Sequence, residues 1–120
     1  MKQLTAEQIL QAPRAKPVPV EVPEWGGIVH VRMLTAGELD QFQMQVSDQP
    51  KDSRQVRGLL VAVCCCDEQG YPLFTEAQVE QLAQVEQLAA LDCAPMERVF
   101  EAAQKLNGLA RSAQDDARKN

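Results

Sequence analysis

The sequence has no long apolar run, a single histidine, few aromatic residues and no excess of positive charge. Each shortage removes a class of function. The longest stretch without a polar side chain, Gly58 to Cys66, has nine residues, whereas a helix needs about 20 apolar residues to cross a bilayer. It therefore belongs to a core, and no membrane partner is expected. The formal charge of -5 and a pI near 4.8 disfavour the phosphate-neutralising surface that nucleic-acid binding requires. His30 stands alone in an alternating pattern, so it reads as an exposed strand residue rather than a ligand or base.

Phosphate-cradling glycine loops, G-x-S-x-G, H-E-x-x-H and EF-hand loops are missing. Glu76 and Glu80 could face one another on a helix, but they read as a solvated acidic face. Cys64, Cys65 and Cys66 are consecutive and Cys93 is alone, which is neither a C-x-x-C pair nor a secreted disulfide framework. On a helix, successive side chains fan out by about 100° and cannot share one metal ion. The thiols read as buried, reduced and hydrophobic. No enzyme, metal or cofactor is expected.

What the chain does have is the stretch from Asp52 to Phe74, around which the rest is organised. Val61 and Val63 would suit a buried strand, yet Asp52 and Gln55 form a capping-box signal, and Val56, Leu59, Leu60 and Val63 follow at helical spacing. The spacing predicts a central helix from Ser53 to Cys66. Gly58 inside it costs about 1 kcal/mol against alanine, which points to close approach by a neighbouring backbone. The helix is expected to end at Asp67-Glu68-Gln69-Gly70.

Before this stretch, Thr5 to Gln11 predicts a short capped helix, followed by a proline-rich connector from Ala12 to Pro17. Val18, Val20 and Val22 alternate with Pro17, Pro19 and Glu21 as an edge strand. Glu24 to Gly27 supplies a turn. Ile28 to Leu34 resumes alternation, with Val29, Val31 and Met33 on one face and His30 and Arg32 on the other, so a β-hairpin is predicted. Thr35 and Glu38 form a capping box, with Leu34 and Leu39 at hydrophobic-staple positions, and open a helix through Phe42 and Val46.

After the centre, Tyr71 to Phe74 is extended, and Thr75 with Gln78 predicts a helix carrying Val79, Leu82, Val85 and Leu88, with a break conceivable near Gln84. Pro95 is placed at a first helical position. Met96, Val99, Phe100, Ala103 and Leu106 form one stripe, closed by Asn107-Gly108. The expected fold is mainly α (α+β), a helical domain around a central buried helix with one N-terminal hairpin. Residues 1–17 are expected as a loosely attached helix and linker, 18–109 as the globular domain and 110–120 as a polar tail.

The hairpin ending VHVRMLTAGELDQF, the central RGLLVAVCCCDEQGYPLFT and the closing MERVFEAAQKLNGL together resemble the tail assembly chaperones of long-tailed bacteriophages and prophages. The resemblance spans Val18 to Leu109. Its most specific pieces are the D-E-x-G-x-P-L-F-T link and the A-x-K-L-N-G-L ending. It implies a non-catalytic protein of the host cytoplasm that binds the tape measure protein and helps recruit tail tube subunits, and whose reading frame is often extended by a ribosomal frameshift. An adaptor subunit of another cytoplasmic complex, such as a transcriptional adaptor, is the alternative. Met1 to Leu4 leads into polar helix-forming sequence, so no secretory signal is expected.

A chaperone of this kind needs exposed apolar surface. Trp25 at the hairpin tip either contacts a partner or folds back over its own hairpin. Trp25, Tyr71 and Phe74 are the expected partner-contact residues, for a client or for self-association, although Phe74 is also placed like a staple residue. Phe42 and Phe100 read as internal.

Overall fold

The computed structural model describes residues 1–49, 55–74 and 78–109, with side chains of the helix beginning at 78 described from residue 83 onward. Over these residues the chain runs α1 (Ala6–Leu10), β1 (Val18–Val22), a single 3₁₀ turn (Pro23–Trp25), β2 (Gly27–Val31), α2 (Ala36–Asp48), α3 (Val56–Cys64), β3 (Cys65–Cys66), α4 (Gln78–Ala89) and α5 (Cys93–Leu106). The fold is mainly helical α+β, with a small antiparallel sheet in the order β1-β2-β3. The caps expected from Asp52, Ser53 and Thr75, the acidic pair of Glu76 and the Glu80 side chain, and the tail 110–120 lie outside the described residues.

Helix α3 is the centre, as its lack of a polar face dictates. Gly58, Leu59, Leu60, Val61, Ala62 and Cys64 are all buried, and each buried Leu or Val contributes about 1.5–3 kcal/mol relative to exposure. α4 and α5 pack against it. From α4 come Val85 and Leu88, and from α5 Met96, Val99, Phe100 and Ala103, the stripe read from the sequence. The sheet packs on α5 and adds Val22 and Val31 to the cluster, and α2 adds Phe42 to it.

The central helix is shorter than the expected span of Ser53 to Cys66. Gln55 is its N-cap and makes no side-chain cap bond, and the helix stops at Cys64. The Cys64 carbonyl accepts the Arg32 N–H at 3.0 Å. Cys65 turns extended, and Cys65 and Cys66 pair with Val31 and His30. Strand pairing with β2 thus takes over the backbone groups that another helical turn would have used, and keeps Asp67 out of the core.

β2 stops at Val31, so Met33 does not join Val29 and Val31 on the core face and is exposed. The reason is Arg32. Its N–H goes to Cys64, and its guanidinium makes a two-point pair with Glu38 at 3.0 and 2.9 Å, drawing the chain away from the strand path. Glu38 also completes the capping box, with its Oε1 accepting from the Thr35 N–H at 2.9 Å. These bonds hold the Glu38 carboxyl at about 2, first through the Arg32 hydrogen bonds and against the opposing effect of partial burial.

α4 runs through Gln84 without a break. α5 starts at Cys93, so Pro95 is its third residue rather than its first. That position is tolerated because the first four helical N–H groups have no intrahelical partner anyway. The helix ends in a complete Schellman motif: Gly108, at φ 70°, donates to the Lys105 carbonyl and Leu109 donates to Gln104. Asn107 then ties this end to the hairpin exit. Its Oδ1 accepts the Leu34 N–H at 2.8 Å, and its Nδ2 donates to the Ala103 carbonyl at 2.9 Å.

Both sides of the sheet end in proline. Pro19 lies in edge strand β1 opposite His30, and on the far side Cys66 makes a single antiparallel bridge to Pro72. Neither proline has an N–H to offer a further strand.

Candidate partner-binding surface

The expected contact residues occupy three different settings. Trp25 ends the 3₁₀ turn that joins β1 to β2, where Pro23 fixes the entry and Gly26, at φ 76°, donates to the Pro23 carbonyl at 3.0 Å. The turn leans on α5 through Arg98, which holds both Glu24 carboxylate oxygens at 2.6 and 2.8 Å. That hydrogen bonding lowers the Glu24 carboxyl to about 2. Trp25 itself is 37% exposed, so most of the indole lies against the protein and a face of it remains open.

Tyr71 and Leu73 stand further out. Asp67 organises their turn: its Oδ1 accepts the N–H groups of Gln69 at 2.9 Å and Tyr71 at 3.0 Å, while its own N–H donates to the Tyr71 carbonyl at 2.9 Å. Gly70 takes φ 94°, which only glycine adopts cheaply. The Leu73 N–H donates to the Cys65 carbonyl at 3.1 Å. With the backbone so fixed, Tyr71 is 70% exposed and Leu73 57%. Phe74, one residue on, turns inward and packs against the core.

Trp25 thus stands at the β1–β2 turn and Tyr71 beside β3, while Phe74 is half-buried against the core. Sequence reasoning missed Leu73 and Ile28. Ile28 pairs with Glu21 and is exposed, on the face opposite Val29 and Val31, so the alternation that pointed those valines inward already pointed Ile28 outward.

A second surface, lined equally by polar and apolar groups, was not legible in the sequence. A cleft of about 420 Å³ opens where the start of α3, the end of α4 and the start of α5 converge. Val56, Leu88, Leu91 and Met96 line it, with Arg57 and Cys93 at its polar side. The Arg57 Nη1 lies 3.7 Å from the Cys93 Sγ, and its Nε pairs with Glu97 at 3.0 Å. Cys93 is exposed, unlike the buried thiols expected throughout. Cys64, Cys65 and Cys66 are buried, and burial pushes the first two up to about 12.

Among the described residues no group of three His, Cys, Asp or Glu side chains is placed to hold a metal ion, and no helix is long and apolar enough to cross a membrane. No protein-family model, curated protein or solved structure matches the chain.

Proposed function

We propose that this protein is a tail assembly chaperone of a long-tailed phage or prophage, acting without catalysis in the host cytoplasm. It binds the tape measure protein and helps bring tail tube subunits to it. The observation that carries the reading is the Asp67 turn, which uses four hydrogen bonds and a positive-φ glycine to hold Tyr71 and Leu73 in solvent. Exposed aromatic and aliphatic side chains on a fixed backbone lose little entropy when a partner covers them. The turn is also the D-E-x-G-x-P-L-F-T link on which the family resemblance rests, so its most specific residues are those that build the display. Trp25 and Ile28 extend the apolar surface elsewhere on the sheet. With proline on both sheet edges, the client is engaged through side chains and not by an added strand.

Where the adjoining reading frame encodes a long helical protein, co-expression with it tests this. The double variant Tyr71→Ala, Leu73→Ala is expected to fold normally and to lose most of the co-purified client, whereas Glu86→Ala, on the exposed side of α4, is expected to retain it. Retention of the client at wild-type level by the folded double variant would remove this surface from the function. A neighbouring frame that encodes no such protein would favour the adaptor role.

A further inference from the structure

Of the chain's two asparagines, Asn107 and Asn120, Asn107 is the one followed by glycine. Asparagine before glycine loses its side-chain amide to water faster than asparagine before a bulkier residue. Glycine has no side chain to shield its backbone nitrogen or to hinder its rotation, so that nitrogen can reach the Asn side-chain carbon and close a five-membered ring. The pair stands at the end of α5, where Asn107 is the C-cap and Gly108 holds a φ of 70°. A residue with a side chain would be strained there, so the turn that closes the helix also installs the labile pair.

The fold keeps the two reacting atoms apart. Asn107 has a ψ of 8°, which eclipses the Gly108 nitrogen with the Asn107 nitrogen and turns it away from Cβ. Ring closure needs the Gly108 nitrogen on the Cβ side, a rotation of about 120°, the spacing of substituents around a tetrahedral carbon. The Gly108 N–H meanwhile donates to the Lys105 carbonyl at 3.3 Å. The Asn107 carboxamide is held at both ends. Its Oδ1 accepts the Leu34 N–H, while its Nδ2 donates to the Ala103 carbonyl and lies 3.4 Å from the Arg32 carbonyl and 3.6 Å from the Cys64 Sγ. Leu109 closes the turn by donating to Gln104 at 2.8 Å and by packing on the core. Helix ends open more readily than helix centres, and opening here frees ψ, the nucleophile and the carboxamide together.

We propose that Asn107-Gly108 is a self-modification site that the folded end of α5 keeps latent: when that end opens, Asn107 deamidates, and the product cannot rebuild the junction with the hairpin. Solvent base takes the Gly108 N–H proton, the nitrogen attacks Asn107 Cγ, and the Cγ–Nδ2 bond breaks to release ammonia. Water then opens the cyclic imide at one of its two carbonyls. One opening leaves an aspartate in the original chain. The other leaves an isoaspartate, whose backbone runs through Cβ and Cγ. Overall, one water is consumed, one ammonia is released and one carboxylate is gained.

Neither product fits the junction. A carboxylate has no donor, so the oxygen that replaces Nδ2 meets the Ala103 carbonyl as a second acceptor. Its charge also lies at the negative end of the α5 dipole. Isoaspartate lengthens the backbone inside the turn, and the Gly108 and Leu109 N–H groups lose their register with Lys105 and Gln104. The change runs one way, so each molecule keeps a record of having opened. It needs no client and stands apart from the proposed chaperone role.

Parallel incubation of the full chain in neutral buffer and in unfolding guanidinium tests the site, read by intact mass and by peptide mapping for isoaspartate. Asn107 is expected to convert about tenfold or more faster in the unfolded chain than in the native one. Leu109→Ala, which weakens the closing turn, is expected to raise the native rate several-fold and to leave the rate in guanidinium unchanged. Guanidinium below the unfolding midpoint probes the same end without a substitution, and the rate is expected to rise there before the global transition. Equal rates in buffer and in guanidinium would overturn the guard. A native rate that neither Leu109→Ala nor mild guanidinium moves would overturn the assignment of the gate to this end, and an unfolded chain that does not convert would overturn the site itself. Deamidated molecules carry an added negative charge and separate by ion exchange. In that fraction the Leu34 amide is expected to exchange with solvent faster than in the unmodified protein, and retained protection would overturn the loss of the junction.

Discussion

A β-carbon placed on Gly58 would stand 2.9 Å from the Val85 carbonyl oxygen and 3.2 Å from its Cγ1. The backbone of α4 thus rests directly on α3. Gly58→Ala gains about 1 kcal/mol of helix propensity, but overpacking a filled core costs about 1–3 kcal/mol, and the obstructing oxygen belongs to the backbone and cannot rotate aside. A lower urea midpoint is expected. Gly37→Ala in α2, where nothing lies within 4 Å of the added carbon, should raise the midpoint instead. If both changes stabilise equally, the close approach is wrong.

Asn107 joins segments 73 residues apart by accepting the Leu34 N–H. In Asn107→Ala that N–H keeps its partly buried position and loses its acceptor, which costs about 1–3 kcal/mol. The Leu34 amide should consequently exchange with solvent much faster than in the wild type. Unchanged protection at that amide would show that the bond is dispensable.

Arg32 hydrogen bonds lower the Glu38 carboxyl from its ordinary 4.5 to about 2. A folded pKa below the unfolded one means that the contribution is fully present above about 4.5 and is lost as pH falls towards 2. Glu38→Gln should reduce stability at pH 7 by about 1 kcal/mol, allowing for the partial exposure of the pair. Its stability should also fall less steeply than that of the wild type between pH 4.5 and 2. Parallel acid-unfolding curves for the two proteins would contradict this assignment.

The four thiols should separate cleanly in a labelling experiment. In the native protein Cys93 is expected to react with a thiol reagent while Cys64, Cys65 and Cys66 stay protected by burial. Full reactivity should appear on unfolding. Rapid native labelling that persists in Cys93→Ser would show that the triplet is not enclosed as described.

The legible parts of the fold were those decided within a turn or two of helix. The Thr5 and Thr35 capping boxes, the valine alternation of the hairpin and the α5 stripe are local patterns, and each forms where its residues stand. Gly58 announced a close neighbour but could not name Val85. The parts that escaped depend on partners far along the chain. Cys65 and Cys66 leave the helix because β2 lies ready to pair with them, and Met33 leaves the strand path because Arg32 finds Cys64 and Glu38. Of the expected contact residues, Tyr71 follows a polar turn, Asp67 to Gly70, that was readable, but the sequence placed Tyr71 itself in an extended link and did not show that Asp67 holds its backbone. The Trp25 turn is tied down by Arg98, 74 residues from Glu24, and the cleft is assembled from three helix ends, so no window of sequence contains either.

The prolines at the two margins of the sheet bear on crowding. A small sheet with open edges is exposed to the hazard that sheets of neighbouring molecules fuse edge to edge and nucleate fibres. Pro19 and Pro72 interrupt the donor row on both margins, so copies can crowd together while their sheets remain separate. Wherever two copies meet, their contact is then left to side chains rather than to backbone pairing.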